Sequence, residues 1–456
     1  MSADGGRIES TVEYSDDLRP FFDASPFFVE YDVDVSAVPE SIRSIPVLAH
    51  VCPVAWAFDA DVYVPVADAR FLRSLLSVGR TLSEMYPFVD GGRVFAGEAP
   101  EWPAQIAPDR ETGGSEVGEP ILTEADGAGM LFTGGVDSLA TYVRHREEEP
   151  TLITVRGWVI DVDATEDERW HRMRARTESF ANRFGVDARF VRSNMLEFLN
   201  TTMLDVECYD RHDGSWYTAV GCGLGMLGLC APLAVADGLG QIYVAASVWE
   251  EMEPPPVVDY WEGRAMPWGT HPDIDSAAAW ADSQGVHDAF ELDGQGRVGV
   301  IGDPVREHDP ALPVYSGSTS VSAENCGRCE KCIRTALGLA LAGLDPADHG
   351  IEVDRSSFEH AIREFERGAW LNDQHAPYHW RTFQSRIPAD AELPMDGADE
   401  FVDWLHEADF ESMGGRSMGG RLLRTVIRHA PYGLYAAVQP RYSAVKRRLK
   451  RDGRWG

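Results

Sequence analysis

The chain has 456 residues, 44% of them hydrophobic and 10% aromatic, which supplies a large packed core and excludes wholesale disorder. Its 74 acids against 41 bases give a formal charge of −33, and only Lys331, Lys446 and Lys450 among the bases are lysine. That balance resembles the proteins of salt-in halophiles, whose carboxylate surfaces stay hydrated in molar salt, and it argues against nucleic acid as a partner for the body of the chain.

Residues 1–125 read as an N-terminal α+β unit and linker. FFVEYDVDV (27–35) and DVYVPV (61–66) alternate as strands do, and residues 69–86 have helical spacing at Phe71, Leu72, Leu75, Leu76 and Val78. Residues 101–127 are rich in Gly, Pro, Glu and Asp and read as a linker. The N-terminus has neither a basic start nor an apolar run, so a cytoplasmic chain is expected.

Residues 126–345 alternate strand and helix. The strand candidates are 129–132, 151–160, 188–194 and 241–247; the helical runs are 138–149, 167–185 and about 217–236. That order predicts an α/β fold with a parallel sheet, whose ligands sit at the carboxyl ends of the strands. Residues 214–236 carry no charge and are long enough to span a bilayer, yet they hold five glycines and Pro232, and a strand follows at once. A buried core helix is expected there. Gly223, Gly225 and Gly228 match GxGxxG, but no strand precedes them, so close helix packing is the expectation.

Residues 346–413 read as an acidic helical region, with helices at 356–368 and 398–409. Residues 414–456 reverse the charge, with eleven Arg and Lys against Asp452 alone. This basic amphipathic tail, interleaved with Tyr432, Tyr435, Tyr442 and Trp455, suits an anionic membrane surface, the protein's own acidic body, a partner protein or, least of these, nucleic acid.

The chemistry concentrates in LFTGGVDSLA (131–140). An apolar strand enters a glycine turn and a helix leaves it. Gly134 and Gly135 let backbone N–H groups approach an anion, aided by the helix dipole. Thr133 and Ser138 add hydroxyls, and Val136 opens the helix. Asp137 in an anion site implies a bound cation, as Mg²⁺ on a pyrophosphate would provide. At other strand ends, Asp161, Ser193, Asn194 and Ser247 are candidate contacts. His271 and Asp273 are candidates for acid–base work.

Cys326, Cys329 and Cys332 have C-x2-C-x2-C spacing before an apolar helix, an arrangement that can close on Zn²⁺. With Cys52, Cys208, Cys222 and Cys230 the cysteines number seven, which is not a disulfide framework; Cys52, Cys222 and Cys230 read as core.

The 133–138 stretch resembles the SGGxDS loop of the PP-loop ATP pyrophosphatases, the adenine nucleotide alpha hydrolase-like superfamily, with Thr133 in place of the first serine. The resemblance implies a parallel-sheet HUP-type (Rossmann-like) PP-loop domain. It also implies ATP and Mg²⁺ as ligands and adenylation of a small-molecule substrate with release of pyrophosphate. The cysteine spacing is similar to that of 7-cyano-7-deazaguanine synthases, which use four zinc cysteines. NCGRCEKC (325–332) and Trp268-Gly269-Thr270-His271-Pro272 more closely resemble an uncharacterised PP-loop branch associated with glycan loci. In that branch a further cysteine is expected about ten residues upstream of the triplet. Tyr315 stands near that place, and His308, Asp309, His271 and Cys208 are candidate replacements. The alternatives are a 7-deazaguanine-type nucleobase synthase and a non-catalytic scaffold that recruits a glycan-assembly complex to the inner membrane face.

Overall fold

The computed structural model describes residues 1–23, 25–97, 117–118, 125–163, 166–212, 214–254, 256–261, 264–307, 312–316, 325–371, 376–388, 390–413 and 425–427. Nine strands form one sheet: β1 (Ser2–Asp4), β2 (Arg7–Ser10), β3 (Phe27–Tyr31), β4 (Gly127–Leu131), β5 (Thr151–Arg156), β6 (Ala188–Ser193), β7 (Leu239–Ala245), β8 (Ala279–Trp280) and β9 (Ser283–Asp288). Their spatial order is β1-β2-β3-β6-β5-β4-β7-β9-β8. The middle five, β6-β5-β4-β7-β9, are parallel, and antiparallel strands extend both edges. This is the mostly parallel α/β sheet that the alternation implies. The order runs outward in both directions from β4, so the chain reverses its direction of winding between β4 and β7. Such a switch point opens a crevice at the carboxyl ends of the strands.

Eleven helices of ten residues or more lie among the described residues: α1 (Ile45–Ala57), α2 (Ala69–Met85), α3 (Val136–His145), α4 (Asp167–Phe184), α5 (Thr201–His212), α6 (Cys222–Asp237), α7 (Gly294–Glu307), α8 (Glu330–Leu341), α9 (Arg355–Glu366), α10 (Ala376–Arg386) and α11 (Ala398–Glu407). The described residues of the segment 1–125 form no core separate from the sheet. Strand β3 pairs with β6, and residues from Ile8 to Ala281 share one hydrophobic cluster. Asn194 makes this joint, its Oδ1 accepting from Phe28 N at 2.8 Å and its Nδ2 donating to the Pro26 carbonyl at 2.9 Å.

Helix α6 is the hub. With the preceding turn Tyr217–Gly221 it forms a run of 21 residues, long and apolar enough to cross a membrane, and 89% of its most apolar stretch is buried inside the protein. The three glycines serve contact. A Cβ on Gly223 would meet Asp275 Oδ1 at 2.0 Å, one on Gly225 would meet His50 Nε2 at 3.0 Å, and one on Gly228 would meet Ala49 Cβ at 2.4 Å. Helix α1, which the sequence reading did not single out, packs there despite Pro53 within it.

The C-terminal helices α9, α10 and α11 form a second cluster around Phe365 and Trp380, into which α8 inserts Ile333 and Leu337. Helix α8 thus belongs to both units. Of the basic segment 414–456 only the turn 425–427 is described, so a membrane or partner contact there lies outside the described residues. Most of the 101–127 linker lies outside them too.

Burial lowers His50 and His212 to about 4. Both are therefore neutral in the fold, whereas the unfolded chain protonates them near the ordinary histidine value of about 6.5. Between those limits the unfolded state binds more protons. Their contribution is complete above about pH 6.5 and is lost as the pH falls toward 4. Thermal unfolding at constant high salt is expected to show Tm falling across that window; a Tm unchanged from pH 7 to 4.5 would contradict it.

Candidate functional site

A cavity of about 460 Å³ opens at the switch point. Its floor is the turn between β4 and α3. Gly134 takes φ +75°, a left-handed conformation that costs glycine little, and a Cβ there would lie 3.3 Å from the Tyr315 ring. Gly135 caps α3, and Ser138 Oγ donates back to the Gly135 carbonyl at 3.1 Å. Thr133, Gly135, Val136, Asp137 and Ser138 all line the cavity.

The walls come from other strand ends: Trp158 and Val159 after β5, and Ser247 after β7. The starts of three helices face the same space. Alongside α3, helix α7 contributes Gly294, Gln295, Arg297 and Val298, and α8 contributes Lys331, Arg334 and Thr335. A helix start presents N–H groups that no helical carbonyl accepts and the positive end of a dipole; at α7 one of them, Gly296 N–H, already donates to Asp293 Oδ1 at 2.8 Å. From the C-terminal unit, α10 adds His379, Thr382 and Phe383.

Charge is sorted sharply here. In a chain with far more acids than bases, the cavity lining among the described residues holds Arg169, Arg176, Arg297, Lys331 and Arg334 against one carboxylate, Asp137. Arg297 is 1% exposed; its Nη1 donates to Asp137 Oδ1 at 3.0 Å and its Nη2 to the Val248 carbonyl at 2.7 Å. Arg176 donates to the Thr133 carbonyl at 2.9 Å, its guanidinium lies 3.9 Å from the Tyr315 ring centre, and burial holds its pKa below the ordinary arginine value. Arg169 pairs with Glu166 at 3.3 Å and Arg334 with Glu330 at 3.5 Å. Lys331 is half-buried and makes no hydrogen bond or ion pair with a described residue. Gln295 Nε2 donates to the Gly338 carbonyl at 3.0 Å, while its buried Oε1 has no partner among the described residues.

Several sequence candidates sit elsewhere. Ser193 Oγ donates to the Phe28 carbonyl at 2.8 Å and, with Asn194, ties β6 to β3 outside the cavity lining. Asp161 is outside the lining as well; its carbonyl accepts from Arg156 Nε at 3.1 Å. His271 is buried behind the wall. Its Nδ1 accepts from Asp273 N at 3.2 Å, its ring meets Phe290 edge-on, and burial lowers it to about 4. It reaches the cavity only through its neighbour Thr270, which hydrogen-bonds Ser247 at 3.0 Å.

The three cysteines lie beside the cavity at the start of α8. Their sulfurs are all within 4.8 Å of one another, with Cys326 and Cys332 3.8 Å apart. Two thiolates on one tetrahedral zinc at about 2.3 Å stand about 3.8 Å apart, so the set fits a metal ion. Hydrogen bonds from the side chains of Cys329 and Cys332 hold the Cys326 thiol far below its ordinary range. Cys208 is buried in the main core, away from this group, and His308 and Asp309 lie outside the described residues.

Comparison with protein-family models, with curated proteins and with solved structures finds no match to this chain. The arginines and Tyr315 carry no local motif that reading the sequence would pick out. Lys331 does carry a signal: it is the only lysine outside the 414–456 tail. An ammonium among helix starts, with no partner among the described residues, is expected to hold an anion. Lys331→Met should weaken inorganic pyrophosphate binding by about tenfold or more, the scale of a lost hydrogen bond to a charged group. Calorimetry at fixed salt checks this; an unchanged Kd would contradict it.

Proposed function

We propose that the cavity binds ATP and that the protein is an AMP-forming enzyme of the PP-loop type. The observation that carries this reading is the meeting of the TGGVDS turn, three helix starts and five cationic side chains in one cavity of a strongly acidic chain. That environment suits a polyphosphate. The parallel strands run outward from β4 in both directions, and a nucleotide would sit in the crevice at that switch point. Trp158 and Val159 offer an apolar wall for the base.

In this reading the turn holds the β- and γ-phosphates and leaves the α-phosphorus facing the open part of the cavity. An oxygen of a small substrate attacks that phosphorus. The bond between it and the β-phosphate oxygen breaks, the substrate becomes an adenylate, and pyrophosphate leaves. A second nucleophile then displaces AMP. Arg297, Arg176 and Lys331 would balance the charge that develops on the departing pyrophosphate, so catalysis rests on positioning and electrostatics. Mg²⁺ would supply further charge neutralisation. Asp137 fits it: the residue is half-exposed, and only its Oδ1 is engaged by Arg297. Zinc is the metal best suited to the cysteine group, in a structural role beside the cavity.

The resemblance to a glycan-locus branch assigns the acceptor to glycan or cell-surface polysaccharide synthesis. A cytoplasmic site, with the basic tail reaching the inner membrane face, suits that assignment.

The test is a product assay in high-salt buffer with ATP labelled at the α and γ positions, Mg²⁺ and a small-molecule extract. AMP and pyrophosphate should appear only with extract and fall at least about a hundredfold in Asp137→Ala, as when a charge-stabilising group is lost. ADP and phosphate as products would contradict the reading, as would a failure to bind ATP.

A further inference from the structure

We propose that Ser316 is the fourth ligand of the metal held by Cys326, Cys329 and Cys332, and that the filled site braces the nucleotide turn through Tyr315. Three thiolates leave one vertex of a tetrahedral ion open. Ser316 stands ten positions before Cys326, and its Oγ lies 3.1 Å from Cys332 Sγ. Around a zinc ion an oxygen and a sulfur ligand are about 3.5 Å apart, so the hydroxyl needs to shift only a few tenths of an ångström to share the ion. It binds through an oxygen lone pair and no proton has to leave it. Ser316 is buried, and its position is set: its N–H donates to Asn325 Oδ1 at 2.9 Å, and Asn325 Nδ2 donates to the Val314 carbonyl at 2.8 Å. The segment 314–316 and the start of the cysteine loop thus hold each other in register.

The next residue back faces the nucleotide turn. Tyr315 forms a parallel backbone bridge with Gly135. Its ring stacks on Arg176, which in turn holds the Thr133 carbonyl. One short segment therefore joins the sulfur cluster to both ends of the Thr133–Gly135 turn. Without the metal, Ser316 is tied only by hydrogen bonds. With it, the segment is clamped to the start of α8, and the turn keeps the geometry an anion needs. Neither His271 nor Cys208 is required as a ligand. An oxygen ligand is harder and binds zinc more weakly than the thiolate it replaces, so the site should be less tight than a four-cysteine one.

The inference rests on the metal part of the reading above. The full-length chain would be stripped of metal, reloaded with Zn²⁺ or Co²⁺, and titrated with ATP. The wild type should hold one zinc per chain. Ser316→Ala should lower zinc affinity by about tenfold or more, comparable to losing a supporting partner of a metal site. Ser316→Cys should raise it and increase the thiolate-to-cobalt charge-transfer band by about a third, from three thiolates to four. ATP affinity should fall on zinc removal and fall likewise in Ser316→Ala. A wild-type chain that holds no zinc would overturn the metal reading itself. A Ser316→Ala chain with unchanged zinc affinity and cobalt spectrum would overturn the ligand assignment alone. If that variant does not fold, Ser316→Cys decides, since an unchanged charge-transfer band also overturns the assignment. Unchanged ATP affinity after zinc removal would overturn the brace.

Discussion

The site depends on one buried cation. Arg297, at the first turn of α7, binds the Asp137 carboxylate on α3, the Val248 carbonyl beyond β7 and, at 3.4 Å, the Ala289 carbonyl beyond β9. A guanidinium withdrawn from water is costly unless its donors are met; here a carboxylate and two carbonyls take its Nη1 and Nη2 groups, while its buried Nε has no partner among the described residues. The result is that two helix starts and two strand ends are held around one point. That point is the crevice left by the change in winding direction between β4 and β7. Remove the guanidinium and Asp137 is left facing a cavity with no fixed direction; remove the carboxylate and a buried charge is left with carbonyls alone.

The same economy appears in the distribution of charge. The surface carries carboxylates, while the cavity lining collects four arginines and a lysine. Three of the arginines approach their acidic or carbonyl partners from outside the turn: Arg169 and Arg176 from α4, and Arg334 from α8. In molar salt, long-range attraction between a basic cavity and a polyanion is screened within a few ångströms. Recognition then falls to short, direct contacts and to backbone N–H groups, which salt screens least. The packing of α10 against α8, where Trp380 donates to Glu330 at 2.9 Å, makes the C-terminal unit part of this wall.

Much of the fold was legible because the central strands are continuous apolar runs with glycine or polar residues at their ends. Strands β4, β5, β6 and β7 lie where the runs place them, as do helices α2, α4 and α6. The turn at 133–138 was legible because glycines between strand and helix have few other uses. What was not legible is tertiary. Strand β9, which holds Gly285 and His287, is not among the strand candidates; it is accommodated because Gly285 approaches the Asp275 carbonyl, where a Cβ would lie 2.3 Å away. Helix α1 contains a proline and owes its place to contact with α6. Ser193 and Asn194 stand at the end of β6 as expected, but the joint with β3 takes their polar groups; β5 ends at Arg156, short of the expected 160, which leaves Asp161 in the loop beyond it. Arg297 and Tyr315 reach the turn from more than 150 residues away, and no local pattern announces such a meeting.

The most direct test of the account is amide hydrogen exchange with and without ATP and Mg²⁺ in high salt. The account predicts slowed exchange confined to the 133–138 turn, the first turns of α7 and α8, and the 314–316 segment. ATP-dependent protection elsewhere, with the turn unchanged, would contradict it.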